Sequence, residues 1–183
     1  MRILSKRAVP VLLVLICFSM LGCEVATSAR LEPGPSFSLD GSGRLVSFHV
    51  YGPRQGHKIA TPVDDQSLMW SIAATNDAHG ALVTGMQIAY GKVPTGYVQK
   101  FPSSGAALPL ANGQVYIFDA ETTGAPGVNG FFYMDQSAPI LIKVPGLCGS
   151  SSAGDVKPVK CGTNEPYVEP KDLEKFVQEN RVR

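Results

Sequence analysis

Hydrophobic and polar residues alternate in short runs through the middle of the chain. Between Arg44 and Val50, the alternation places Val46, Phe48 and Val50 on one face and the polar Ser47 and His49 on the other. A period of two residues is typical of a β-strand with one buried face. Similar runs predict strands over residues 36–39, 67–75, 82–90, 97–101, 115–120, 131–134 and 140–144.

Turn signals separate these runs. Pairs such as Asp40-Gly41 and Asn112-Gly113 lie between them, and the chain contains 19 Gly and 14 Pro. Seven to nine short strands with turn signals about every 8–12 residues are typical of a β-sandwich. The single tryptophan, Trp70, falls on the apolar face of its run, and we expect it in the centre of the core.

One local motif narrows the fold class. The segment Leu110–Tyr116, with Gly113 at its centre, resembles the L-x-x-G-x-x-Y tyrosine corner of immunoglobulin-like and fibronectin-III-like domains. In those domains the tyrosine hydroxyl binds the backbone a few residues upstream. The resemblance implies an all-β, immunoglobulin/fibronectin-III-like sandwich in which Tyr116 is structural. The alternative is that Tyr116 is an ordinary strand aromatic.

The N-terminal segment has the order of a secretory signal. Three basic residues within the first seven are followed by an apolar stretch that is too short to span a bilayer. The stretch ends in Met20-Leu21-Gly22-Cys23, which resembles the lipobox of bacterial lipoproteins, although Met20 and Leu21 depart from the usual residues. The resemblance implies cleavage after residue 22 and lipidation of Cys23. The alternative is an ordinary signal peptide that is cut after Ala26 or Ala29.

A lipobox implies a location and a domain plan. We expect a signal peptide over 1–22, a lipidated tether over 23–35, a sandwich over 36–146 and a C-terminal extension over 147–183. By resemblance, Glu24 after the cysteine favours the outer membrane, with the domain on the periplasmic face. The protein would then be attached to the membrane through the lipid anchor alone.

Two cysteines remain for the folded domain. Cys17 lies in the signal and Cys23 would carry lipid, which leaves Cys148 and Cys161. In an oxidising periplasm such a pair usually forms a disulfide, and a loop of this size is stabilised by about 3 kcal/mol. A two-cysteine metal site is the alternative, but the three histidines are distant in sequence and form no ligand pattern.

The charge balance argues against nucleic acid as a partner. After residue 22 the chain has 13 Lys and Arg against 15 Asp and Glu, so nucleic-acid binding lacks a basic surface.

Near the C-terminus, Leu173, Phe176 and Val177 have helical spacing, and Pro170 suits the first turn of a helix. We expect a short helix that packs this stripe on its own domain, or on a partner.

Candidate chemistry is sparse. Asp119 and Glu121 would share one face of a strand, where paired carboxylates can do acid–base work, but we expect them to be exposed, as we do His49. We predict no catalytic residue, no metal site and no cofactor. The best candidate for a binding surface is the turn that carries Lys92, Thr95 and Tyr97, although this segment also suits a purely structural turn.

Function follows only in outline. The segment from Trp70 through the Tyr90–Tyr97 turn to Tyr116 is similar to small Gram-negative lipoproteins with no assigned activity. That resemblance implies a non-enzymatic envelope module that binds or supports another component. The alternatives are an accessory lipoprotein of a secretion or envelope machine, which would have an envelope protein as partner, and a periplasmic enzyme.

Overall fold

The computed structural model describes residues 24–53, 67–75, 80–136, 138–143, 147–152, 155–160 and 171–182. In chain order the strands are β1 Ser28–Glu32, β2 Ser36–Asp40, β3 Arg44–Tyr51, β4 Leu68–Ala74, β5 Met86–Ala89, β6 Tyr97–Phe101, β7 Val115–Thr123, β8 Val128–Met134, β9 Pro139–Ile142, β10 Leu147–Ser152 and β11 Asp155–Lys160. One helix, α1, spans Leu173–Glu179.

Two antiparallel sheets form the predicted β-sandwich. The smaller sheet has three strands in the order β1-β2-β5, and the larger has six in the order β6-β4-β3-β7-β8-β9. In constant-type immunoglobulin domains, strands A, B, E and D form one sheet and strands C, F and G form the other. Here β1, β2 and β5 correspond to the first set, and β3, β7 and β8 to the second.

The core lies between the sheets and is rich in aromatic rings. Phe37 of β2 inserts between rings of the larger sheet, with centroids 4.9 Å from Phe48 and 5.1 Å from Phe118. Trp70 is fully buried, as predicted, and its Nε1–H donates to Gln99 Oε1 at 3.1 Å. Aromatic pairs at these distances add stability beyond the area that they bury.

The geometry of the tyrosine corner is present. Tyr116 lies near the start of β7 and is fully buried. Its hydroxyl accepts a hydrogen bond from the Ala111 N–H at 2.8 Å, five residues upstream. Burial raises the pKa of Tyr116. The predicted structural role of this residue is confirmed.

The prediction for Val46 was wrong because β3 contains a bulge. Leu45 pairs with Thr122 and Ser47 with Glu121, so Val46 is an extra residue between two consecutive positions of β7. A bulge changes which face the neighbouring side chains occupy. Leu45 therefore enters the core together with Phe48 and Val50, and Val46 is only half-buried.

The expected tether over 23–35 is also corrected. All five residues of Ser28–Glu32 pair with β2, so this segment belongs to the sandwich. Its burial alternates only between exposed and half-buried residues, as befits an edge strand with a single inner face. The Pro33-Gly34 break forms the turn of this hairpin, and Gly34 has the positive φ of 73° that such a turn requires.

The C-terminal helix is confirmed, and it packs on its own domain. Asp172 caps it by accepting a hydrogen bond from the Lys175 backbone N–H at 3.0 Å. Val177 is 1% exposed and packs with Tyr133 and Ile142 on the outer face of the larger sheet, opposite the core. Pro170, the predicted first-turn residue, lies outside the described residues.

The C-terminal extension contains a β-hairpin. Strands β10 and β11 pair from Leu147 and Lys160 to Ser152 and Asp155, so the backbone imposes a ladder on residues of low strand propensity. Cys148 lies opposite Val159 in this hairpin. Cys161 lies outside the described residues, and the Cys148–Cys161 disulfide stays a prediction.

Candidate functional site

The predicted binding turn lies between β5 and β6. Lys92 and Thr95 are both exposed on it. Two backbone hydrogen bonds shape this segment, from Lys92 N–H to the Ala89 carbonyl at 3.0 Å and from Tyr97 N–H to the Pro94 carbonyl at 3.2 Å. The turn thus presents an ammonium group and a hydroxyl group from an ordered backbone.

Tyr97 does not belong to that exposed surface. Only 7% of the residue is exposed, and its hydroxyl donates to the Leu45 carbonyl at 2.9 Å and accepts from the Ala81 N–H at 3.1 Å. Burial raises its pKa, while the Ala81 hydrogen bond acts in the opposite direction. The prediction for Tyr97 was wrong because strand alternation directs its ring into the core, opposite Ala74 of β4.

A polar group of four residues lies on the outer face of the larger sheet; we call it the outer-face cluster. It consists of Ser47 and His49 on β3 and Asp119 and Glu121 on β7. The β3–β7 register sets Ser47 opposite Glu121 and His49 opposite Asp119. The Ser47 hydroxyl donates to Glu121 Oε2 at 2.5 Å, and His49 Nε2 lies 2.8 Å from the same hydroxyl oxygen.

These contacts fix the direction of the hydrogen bonds. Because the single hydroxyl proton of Ser47 points to Glu121, its oxygen accepts from a protonated Nε2 of His49. His49 Nδ1 is buried and has no hydrogen-bond partner among the described residues. The His49 ring also stacks on Tyr51 at 5.9 Å between centroids. His49 is half-buried, so the expectation that it is exposed was wrong.

The cluster differs from a hydrolytic triad. There the histidine accepts the serine proton, and a carboxylate holds the other ring nitrogen. Here the carboxylate of Glu121 binds Ser47, and Ser47 is only 6% exposed. The contacts therefore order the face of the sheet and do not make Ser47 a nucleophile.

Asp119 is the electrostatically perturbed member of the cluster. It is half-buried, whereas Glu121 is exposed. The expected exposure is therefore confirmed for Glu121 and was wrong for Asp119. Burial raises the pKa of Asp119, the charge of Glu121 raises it further, and His49 lowers it. An open groove of about 540 Å³ adjoins the cluster and is lined in part by Val46, Asp119, Glu121 and Asn129.

The sequence pattern indicates the members of this cluster but not their association. Alternation predicts Ser47 and His49 on the polar face of one strand, and Asp119 and Glu121 on one face of another. Their association depends on which strands pair and in which register, and the bulge at Val46 changes that register. Among the described residues, no group of His, Cys, Asp and Glu is arranged to hold a metal ion.

The start of the described chain is bound tightly to one end of the sandwich. Val25 exchanges hydrogen bonds with Ser42: its N–H donates to Ser42 Oγ at 3.0 Å, and its carbonyl accepts from the Ser42 N–H at 3.1 Å. The Thr27 N–H donates to the Pro126 carbonyl at 3.0 Å. The fold therefore uses residues that follow Cys23 by only two and four positions.

Comparison with known proteins adds no relative: no family model, no curated protein and no solved structure matches the chain. In the part of the chain that the structure describes, no helix has the length and apolar character needed to cross a bilayer.

Proposed function

We propose that the protein is a lipid-anchored envelope module, held through Cys23 in the outer membrane on its periplasmic side, that binds or supports another envelope component without catalysing a reaction. The lipobox-like segment before Cys23 motivates the anchor. The compact sandwich and its ordered, exposed turn at Lys92 and Thr95 motivate the binding role.

The observation that carries the anchor is the set of contacts that residues 25–32 make with the sandwich. A signal cut after Ala26 would remove Val25 and its hydrogen bonds to Ser42. A cut after Ala29 would also remove two of the five residues that pair β1 with β2. A cut just before Cys23 keeps every one of these contacts, so the fold favours the lipobox cut over both alternatives.

Metabolic labelling with radioactive palmitate tests the anchor. We expect label on the wild-type chain and none on Cys23→Ser, which should also leave the membrane fraction. Cys17→Ser is the matched control, because it makes the same substitution six residues upstream in the expected signal. Equal labelling of Cys23→Ser and wild type would contradict the proposal.

Site-specific photocrosslinking in the intact envelope tests the binding role. A photoreactive residue at Lys92 should give a discrete adduct, whose mass identifies the partner. The same residue at Lys143, which is exposed just after β9, is the control. A partner from a secretion or envelope machine would favour the accessory-lipoprotein alternative. Identical adduct patterns at both positions would exclude the Lys92 turn as the specific surface.

A further inference from the structure

We infer that the sandwich sits directly on the phospholipid surface, with one defined end against the bilayer, instead of hanging from a tether. This inference rests on the proposed acylation of Cys23. We call the contacting region the anchor-proximal end. It is formed by the chain start at 24–27, the β2–β3 turn at 41–43, the segment 81–85 and the β7–β8 turn at 124–127.

The reach of the chain sets the first constraint. Two residues extend at most about 7 Å, and the headgroup layer on each side of a bilayer is roughly 5–7 Å thick. Val25 follows Cys23 by two positions and is already bound to Ser42. A diacylglycerol on Cys23 would thus hold the Ser42 turn at the level of the headgroups.

Hydrogen bonds and a close backbone approach hold the chain start against the sandwich, which gives the second constraint. Gly41 has φ +145°, and a Cβ at this position would lie 2.9 Å from the Thr27 Cα. The turn therefore admits the close approach of Thr27 only because residue 41 has no side chain. With Val25 and Thr27 both hydrogen-bonded to the sandwich, anchoring of Cys23 limits the tilt of the whole domain.

The apolar surface at this end is the third observation. Among the described residues, the two most exposed large hydrophobic side chains are Val25 and Leu82, at 60% and 54%. Val25 binds Ser42, and Leu82 forms a bridge with Arg44 two residues further along. Apolar side chains held at the level of the headgroups leave water when they enter the headgroup/acyl boundary, so this end fits a phospholipid surface.

Contact of the anchor-proximal end with the bilayer determines which end of the domain faces the periplasm. Leu108, which is 41% exposed, lies at the opposite end, because Tyr90 joins it to the β1–β2 turn: the Tyr90 hydroxyl donates to the Leu108 carbonyl, and its N–H donates to the Pro35 carbonyl. The five residues of β2 separate the two ends by roughly 16 Å along the strand. That opposite end would face the periplasm.

Tryptophan quenching by brominated phospholipids tests the orientation. The full acylated chain is placed in phosphatidylethanolamine–phosphatidylglycerol vesicles as Leu82→Trp, Val25→Trp or the control Leu108→Trp. Trp70 is the only native tryptophan and is fully buried, so it gives the same background in every variant. We expect at least twofold quenching of the added tryptophan at 82 and at 25, and none at 108.

Two results would overturn the inference, and mass analysis of the same preparations separates them. Acylated protein in which positions 82 and 25 are quenched no more than position 108 would refute the seating and leave the anchor intact. Purified chain without lipid on Cys23 would refute both the anchor and the seating that depends on it.

Discussion

The Tyr97 hydroxyl on β6 donates a hydrogen bond to the Leu45 carbonyl oxygen on β3 at 2.9 Å, although β4 lies between these two strands in the sheet. The Ala81 N–H completes the arrangement by donating to the same hydroxyl. This one side chain thereby connects the edge strand β6, the residue next to the β3 bulge and the segment that carries Leu82.

Tyr97→Phe should destabilise the domain by about 0.5–1.5 kcal/mol, because the Ala81 N–H and the Leu45 carbonyl both lose their hydroxyl partner. Urea denaturation measures the change. Tyr133→Phe is the control, since Tyr133 is similarly buried, with 8% of the residue exposed. Its hydroxyl makes no hydrogen bond among the described residues. Equal losses for the two variants would show that the Tyr97 hydrogen bonds contribute nothing specific.

Gly41→Ala should destabilise the chain start. The substitution places a methyl group against Thr27 in a backbone region that costs a non-glycine residue about 1–3 kcal/mol. Hydrogen exchange should accelerate at the Thr27 amide, which donates to Pro126. Gly85→Ala is the matched control, because Gly85 also has positive φ, at 68°, but nothing lies within 4 Å of its Cβ position. Equal effects of the two substitutions would mean that Thr27 is not held by this close approach.

The pH dependence of stability should report on Asp119. Because its folded-state pKa is raised above the ordinary 3.8, its contribution to stability is present below that value and is lost as the pH rises through the raised one. Asp119→Asn stays neutral, so it should match wild type at pH 3 and exceed it in urea midpoint at pH 7.

Glu32→Gln is the control for this experiment, since it neutralises an exposed carboxyl on β1. It should give no comparable gain between pH 3 and pH 7. An Asp119→Asn variant that is less stable than wild type at pH 7 would show that neighbouring groups stabilise the carboxylate, and that burial does not raise its pKa.

The cysteine pair makes a chemical prediction. Non-reducing peptide mapping of the mature chain should recover Cys148 linked to Cys161, and reduction should separate the two peptides. Wild-type protein should then be more stable to urea without reductant than with it, by about 3 kcal/mol if chain entropy dominates. Two free thiols in protein taken directly from the envelope would contradict the predicted disulfide.

Strands with strong alternation were predictable, and those with weak alternation were not. In β4 the apolar residues Trp70, Ile72 and Ala74 recur every second position, and all three are buried as expected. Edge strand β1 has only Ala29 and Leu31 half-buried, and a single weak face does not distinguish a strand from a linker.

The site was less predictable than the fold, because it depends on pairing between distant strands. Nothing local reveals that Ser47 meets Glu121, since the bulge at Val46 shifts the register by one residue. Tyr97 differs for another reason: its place after a turn predicts exposure, but it is the first residue of β6 and is buried.

The intact mass of the mature protein, purified from membranes in mild detergent, tests the lipid anchor most directly. We expect a chain that begins at Cys23 and carries three acyl groups. Ester hydrolysis of its N-terminal peptide should remove the ester-linked acyl groups and leave the amide-linked one. A chain that begins after Ala26 or Ala29, or one that retains residues 1–22 without lipid, would contradict the anchor.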